Sequence, residues 1–569
     1  MSNTFYMSTL SYQPHATTSH QTSLGAICRP TKCSYRLELQ QKNAELQQLR
    51  AQLAERDGQI KELQEQLEHT KGVLRHREAM LFGSTSKPKI STPQDSKDQP
   101  TDFTDLGDDA FSSQHQKKRK RGGQKGHKGH GRKIPEHLPV LEQIHDVPPE
   151  LAVCPKCGRP FSSSGLCEES TEITMEIQLK VIRHKRKRMF RTCDCPHVPT
   201  SVTAPPPVKA IPKCLYSHAF LAYMLSWKYG FQIPLTRIAL MLAMEGLSVN
   251  VGTLSGIFQR LTEMLLPLYL LFQQELRSEE RLHVDETSFR HFGSSASMAF
   301  TEVETTPRKL SWLWVFSGNN VTFFVVDPSR SSTVPQRTLG SDLTVTLITD
   351  NFSAYRKYLK SAIHVKHALC WAHFRRHFED ATVSFPQLAP WSAQWIGRIA
   401  ELYHLNDQRL GAVSDQILFA QAQATLEEKI QYFHTTMEQE CKNPQLHEKQ
   451  FKILTSGMAN WPKYTVFVQD HRIPMDNNQA ERALRPGTLG RKNWYGVHAD
   501  WSATLAAMMM TFIQTASKHK LNSTAYLRYV LDRFAVHAGK PCKLQELLPW
   551  NISKEEQEQY QMYTGGGPP

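Results

Sequence analysis

A multidomain α+β chain is predicted by three patterns in these 569 residues. Leu39, Leu46, Leu53, Ile60, Leu67, Leu74 and Leu81 recur every seven residues, the spacing of a coiled-coil seam. Two tight cysteine pairs, Cys154/Cys157 and Cys193/Cys195, flank a basic, strand-like stretch. Asp285 and Asp350 each close a strand-like run, and Glu481 follows far downstream on an amphipathic helical segment. The length exceeds one hydrophobic core and calls for about three to five domains.

Residues 1–34 are polar and irregular, and are expected to be a disordered tail. The heptad helix takes 35–82, with Leu49 and Leu63 partly filling the second seam position. Lys42, Arg56, Thr70 and Arg77 interrupt that seam, and Gly58 and Gly72 cost helix stability, so a short or antiparallel pairing is possible. Self-association into a homo-oligomer is the expected role. Residues 83–133 read as a flexible linker, rich in Ser, Thr, Asp, Gln and Pro, that runs into a basic arm.

The formal charge is +14, and its placement is informative. The arm Lys117–Lys133, opened by Lys117, Lys118, Arg119, Lys120 and Arg121, holds nine Lys/Arg and no acid. Lys180–Arg191 holds seven more and again no acid. Together they exceed the net charge, which leaves the rest of the chain near neutral. Clustered positive charge of this kind is the footprint of a polyanion binder. In the arm, Gly permits close approach while Lys and Arg release counterions from phosphates, which gives affinity without specificity.

Residues 134–205 form a candidate zinc-binding β domain. CPKCG sets Cys154 and Cys157 at the usual spacing, and RTCDCPH supplies Cys193 and Cys195. Four thiolates hold one structural Zn²⁺ tetrahedrally. The second pair is one residue tighter than usual, so His197 is an alternative fourth ligand and Cys167 a weaker one. With eleven cysteines, metal binding in a reducing cytoplasm outweighs a disulfide framework. Between the pairs, residues 172–191 read as two strands that present Lys185, Arg186, Arg188 and Arg191 to something acidic.

Residues 206–275 turn helical, with a helix after Pro234, a break at Gly246 and a second helix after Asn250. That is helix–turn–helix spacing, used for DNA reading but also common in plain helical hairpins. The longest apolar run, Met264–Phe272, has nine residues and a proline, against the roughly 20 that a membrane span needs. No signal-peptide pattern opens the chain, so a cytoplasmic protein is expected.

Residues 276–495 carry the chemistry. Strands are expected at Leu282–Glu286, Leu310–Ser317 and Val321–Val326 as an antiparallel meander, with Leu343–Thr349 following a crossover. Asp285 and Asp350 then stand side by side at the sheet's edge. An almost wholly helical insertion, about 387–455, delays Glu481, and helices close the chain over 496–569. Two strand-end acids and one helix-borne acid, 65 and 131 residues apart, make the donor set of a ribonuclease-H-like nucleotidyl-transfer site. Phosphodiester chemistry there uses two Mg²⁺ ions about 4 Å apart, held by hard carboxylate oxygens. Asp285 is the candidate bridging ligand, with Asp350 and Glu481 each holding one ion. Glu286 points to the opposite face and is a poorer ligand. Arg485, Arg491 and Lys492 are candidate DNA contacts, and His373 and Arg375 candidate accessories near the acids.

The ordered motifs LFGSTSK, CPKCG, KYGFQIPLTR, LHVDET, ITDNFSAY, CWAHFRRHF, NNQAERALRP, GRKNW and LLPW, behind a coiled coil, resemble those of transposases of insertion-sequence family sixty-six, the TnpC type. The resemblance covers roughly residues 36–550 and departs at the tight CDC and at Asn351-Phe352. It implies a bacterial DDE transposase with the triad Asp285, Asp350 and Glu481 and the zinc cysteines named above. Its partners would be the element's terminal inverted repeats, target DNA and accessory proteins encoded beside it. An inert zinc-containing DNA binder and a nuclease without strand transfer are the alternatives.

Overall fold

The computed structural model describes residues 31–82, 155–160, 178–190, 199–292, 310–536 and 543–563, with isolated positions between 142 and 197. Cys154, Cys193, Cys195 and the arm Lys117–Lys133 lie outside the described residues. Those described fall into two compact bodies: residues 31–82 with 383–385, and the remainder.

The first body is helix α1, Thr31–Phe82, continuous through Gly58 and Gly72. Its seam residues Leu39, Leu46, Leu53, Ile60, Leu67 and Leu74 are between 51% and 62% exposed, so the heptad is not consumed by packing within the body.

The second body begins with a small ladder in which β1 (Arg188–Phe190) pairs antiparallel with β2 (Ser201–Thr203). Of the two strands expected over 172–191, residues 172–177 and 191 lie outside the described residues, and the described part holds β1 alone. Residues 178–187 are exposed and irregular, and β1 finds its partner beyond the second pair. Consecutive like charges from Lys185 to Arg188 repel in a ladder and favour solvent. Helices α2 (His218–Leu225), α3 (Leu235–Met244) and α4 (Val251–Leu276) follow. The Asn250 side chain caps α4 by accepting the Gly252 N–H at 2.7 Å. On α4, Leu254, Phe258, Leu261, Leu265, Leu268 and Phe272 form a buried stripe with the 3–4 spacing of a helix face. The second helix of the expected helix–turn–helix therefore gives one face to the main core, leaving Thr253, Gln259 and Arg260 outward.

That core surrounds a five-stranded sheet of β3 (Arg281–Arg290), β4 (Leu310–Ser317), β5 (Thr322–Asp327), β6 (Thr346–Thr349) and β7 (Lys366–Leu369). Spatial order is β5-β4-β3-β6-β7; the meander β3–β4–β5 is antiparallel, while β6 and β7 join β3 in parallel. LSWLWVFS and TLIT are almost continuously buried because both sheet faces are covered. Two short helices, α5 (Thr333–Leu339) and α6 (Ser353–Leu359), connect β5, β6 and β7. The fourth strand starts at Thr346 rather than Leu343, since Thr344 is still exposed. β7 was not anticipated. With β3 central, the acids stand on inner strands and not at the sheet's edge.

After β7 comes α7 (Trp371–Ser384), then a helical block of α8 (Ala389–Gly411), α9 (Gln416–Cys441) and α10 (Glu448–Ala459). Two single turns, α11 (Trp461–Tyr464) and α12 (Val466–Gln469), lead to α13 (Asn478–Trp494) and α14 (Asp500–Lys518). α13 lies against β3 and β4, and α14 against β5 and α4. Gly487 makes the first contact possible, because a Cβ there would run into Leu313 of β4. α15 (Ser523–Val536) and α16 (Lys554–Gln559) complete the body. Among the described residues no helix is long and apolar enough to cross a membrane.

Candidate active site

Parallel pairing of β3 with β6 sets His283 opposite Ile348. Asp285 and Asp350, each two residues further on, therefore leave neighbouring strands at the same level. Asp285 Oδ1 accepts the Glu286 N–H at 2.9 Å, and Asp350 Oδ1 accepts the Phe352 N–H at 3.0 Å. In both cases the second oxygen is left for the site.

Glu481 arrives in the first turn of α13, and Asn477 fixes where that turn begins. Asn477 is fully buried. Its Nδ2 donates to the Val284 carbonyl at 2.8 Å, and its Oδ1 lies 3.0 Å from His283 Nδ1. Its backbone N–H reaches Cys370 Sγ at 3.2 Å. The residue that starts α13 is thus fastened to the strand bearing Asp285 and to the end of β7. Further along, Gln479 Nε2 donates to Gly318 O at 2.8 Å, and Arg491 Nη1 donates to Ser288 O at 2.7 Å. Sequence reading missed Asn477; a polar residue before a helix signals a cap, but not partners almost two hundred residues away.

The charges respond to this convergence. Burial foremost, then the carboxylates of Glu286, Asp350 and Glu481, raise Asp285 to about 7, partly offset by the Glu286 N–H. His373 of α7 has Nε2 3.7 Å from Glu481 Oε1. Burial and then Arg376 lower its pKa, against the pull of Asp350 and Glu481. Glu481 Oε1 and His373 Nδ1 are buried without a hydrogen-bond partner among the described residues. Glu481 does not pair with Arg485. No group of three His, Cys, Asp or Glu side chains closes to metal-holding distance among the described residues.

Glu286 is engaged on the other face, as its strand position implies. Tyr355 donates its hydroxyl to Oε2, while Arg330 approaches Oε1 through Nε at 2.9 Å and Nη2 at 2.8 Å. The remaining candidates divide. Arg485 and Lys492 are exposed on α13, whereas Arg491 is tied to Ser288. Arg375 is exposed and paired with Glu379 at 3.2 Å. Lys185, Arg186 and Arg188 are all exposed, and Arg188 Nε donates to Thr203 Oγ1 at 3.0 Å. Cys157 is exposed.

Comparison with known proteins agrees with the motif order. Three proteins of Sinorhizobium fredii are similar over most of their length, all described as uncharacterized. Protein y4hP is 27% identical over 72% of this chain and 74% of its own. Proteins y4jD and y4qI are each 24% identical over 74% of this chain, covering 82% and 77% of their own lengths. No solved structure matches significantly. The model of the family described as "Transposase IS66 family" matches residues 213–505, just over half the chain and the span that holds the whole sheet, α13 and all three acids. The chain belongs to the IS66 transposase family.

Proposed function

We propose that this chain is a DDE transposase that binds the terminal inverted repeats of its element, cleaves a strand at each end and transfers the freed 3′-hydroxyl to target DNA. The observation that carries this reading is the electrostatic coupling of Asp285 on β3 to Asp350, past the end of β6, and to Glu481, in the first turn of α13, whose charges add to burial in raising Asp285 to about 7. The strand order β5-β4-β3-β6-β7, antiparallel then parallel, supports a ribonuclease-H-like assignment.

The donor set fits magnesium: hard carboxylate oxygens, mutually repelling, with Glu481 Oε1 buried and without a hydrogen bond among the described residues. Asp285, Asp350 and Glu481 would hold the two ions, which when bound polarise the phosphate and stabilise the attacking and leaving oxygens. Asp285 must lose its proton to serve, so loading is favoured as pH rises past 7. Neutral His373 is placed to orient Glu481 or to receive a proton beside it. Exposed Arg485 and Lys492, on the helix that carries Glu481, position the strand through its phosphates.

The other parts serve DNA capture. Lys117–Arg121 and Lys185–Arg188 provide sequence-independent affinity, and one Zn²⁺ on Cys154, Cys157, Cys193 and Cys195 shapes the module between them. The open heptad seam of α1 supports pairing of protomers, which brings two element ends together. The site of action would be the bacterial cytoplasm, where the DNA is, with accessory proteins of the element as further partners.

The test is cleavage and joining of labelled element-end DNA with Mg²⁺, wild type beside Glu481→Gln. Cleavage and joining by wild type alone, with binding retained by the variant, is the expected result. Equal activity in both removes Glu481 from the site, and cleavage without joining reduces the protein to a nuclease.

A further inference from the structure

On the Glu286 side of β3, against the segment that follows Asp350, lies an open cavity of about 720 Å³ whose lining carries four cations and no carboxylate. Arg330 comes from the loop between β5 and α5, with Ser329 and Ser331; Arg356, Lys357 and Lys360 come from α6 and its C-terminal cap. Basic surface alone is usually a solvated face, but three features separate this one from that. First, Arg330 is immobilised: its guanidinium lies 4.4 Å from the Trp312 ring centroid and 4.1 Å from that of Phe352. Glu286 holds its Nε and Nη2, so Nη1 is left without a partner among the described residues. A guanidinium fixed between two rings with one edge free is preorganised for an oxyanion. Second, Arg356, Lys357 and Lys360 are exposed and form no ion pair among the described residues, so their charge is unspent. Third, the loop is set by structure. Trp314 Nε1 donates to Ser329 O at 3.2 Å, Ser329 N–H donates to Asp327 Oδ1 at 2.7 Å, and the loop brings hydroxyls to the rim.

The cavity is also joined to the acids. Phe352, which stacks on Arg330, donates its N–H to Asp350, and Glu286, which pairs with Arg330, follows Asp285 directly. We propose that the cavity binds a backbone phosphodiester of the DNA strand close to the bond being cut, with Arg330 as anchor and Arg356, Lys357 and Lys360 as the surrounding field. This rests on the strand-cleavage reading of the three acids. A phosphate held here fixes the register of the strand as it passes the segment around Asp350, without reading its sequence.

The experiment uses the full chain and element-end duplexes in which single phosphates are replaced by neutral methylphosphonates. The basic arm contributes to total affinity, so the positional profile is the readout. In wild type, one or two substitutions next to the cleavage position should weaken binding roughly tenfold. In Lys357→Ala/Lys360→Ala, whose side chains are exposed and carry no core contact, those positions should lose their effect. The salt slope of binding should fall by about 0.9 for each lost contact. A double variant with an unchanged profile overturns the proposal. So does competition by inorganic phosphate that the double variant abolishes while the profile stays the same, since the cavity then takes a free anion. Glu481→Gln separates the two readings, because it should lose cleavage and keep the profile. Wild-type cleavage with a profile indifferent to the double variant removes the cavity assignment alone. A wild type that never cleaves, with a profile that the double variant erases, removes the assignment of the acids alone.

Discussion

Replacing Asp285 by Asn isolates the cost of crowding carboxylates in the metal-free chain. Asp285 goes from 3.8 to about 7 on folding, through burial first and then the charges of Glu286, Asp350 and Glu481. The folded state therefore holds a proton that the unfolded state releases, and stability falls as pH rises from about 4 through about 7. At 1.36 kcal/mol for each tenfold change, the full effect is roughly 4 kcal/mol. Partial solvent contact and relaxation of the neighbours reduce this to about 2 kcal/mol. Asn keeps the acceptor for the Glu286 N–H and carries no charge at any pH. Thermal unfolding in EDTA should therefore find Asp285→Asn more stable than wild type, by a gap that opens above about pH 4 and is complete past pH 7. For a body of this size that gap is a few degrees. Magnesium at pH 8 should reverse the order, raising the wild type and leaving the variant in place. A gap that stays constant or narrows as pH rises would refute the burial and charge crowding that hold the proton on Asp285.

Other expectations follow from individual contacts. Asn477→Ala leaves the Val284 carbonyl and His283 unpaired in the core, which costs roughly 3 kcal/mol. Because Glu481 then loses its anchor, cleavage should fall on the order of 100-fold while DNA binding by filter retention stays within about twofold. Gly487→Ala drives a methyl into Leu313 and should destabilise by about 1–3 kcal/mol in urea unfolding, without altering the salt dependence of DNA binding. Leu53→Asn with Ile60→Asn breaks the heptad seam, and light scattering should find a smaller assembly than for wild type; an unchanged mass would mean that α1 is not the self-association element.

Much of this architecture is readable from residue patterns. The apolar runs of β4 and β6, the Gly246 break and the amphipathic segment after Asn477 are local signals, and the structure has an element at each. Asp350 stands out because an acid closing a β-branched run is anomalous wherever both sheet faces are covered; Asp285, expected at a strand end, instead lies within β3, which runs on to Arg290 because its pairing with β4 continues past the acid. What escapes is non-local. β7 is four residues long, and LysHisAlaLeu carries no alternation with which to recognise a strand. Arg491 looks in sequence like Arg485 and Lys492, a basic residue on a basic helix. Only the distance to Ser288 separates the residue that clamps α13 to β3 from the two that are free for a ligand. Glu286 is likewise one position from a candidate ligand, and the pleat turns it away to Tyr355 and Arg330.

The long separation of Glu481 from the other acids has a physical explanation in the helical block. Arg409 of α8 is fully buried, a costly placement unless its donors are answered. Its two Nη groups are answered by the carbonyls of Phe467 at 2.9 Å and Val468 at 3.1 Å, both in α12, together with Asn406 and Gln423, while its Nε stays without a partner among the described residues. Trp371, at the start of α7, donates its indole N–H to Tyr464 O at 2.8 Å and its backbone N–H to Met475 O, also at 2.8 Å. The approach to α13 is therefore pinned from the block at Phe467 and Val468, from α7 at Tyr464 and Met475, and from the sheet at Asn477. A short linker in place of the block would lose the first of these. Asn477 and Trp371 would still hold the start of α13, but α12 would lose its anchor, and a carboxylate one turn along would be set less firmly against Asp285. The block is thus part of the apparatus that positions the third acid, which is why so much chain stands between Asp350 and Glu481.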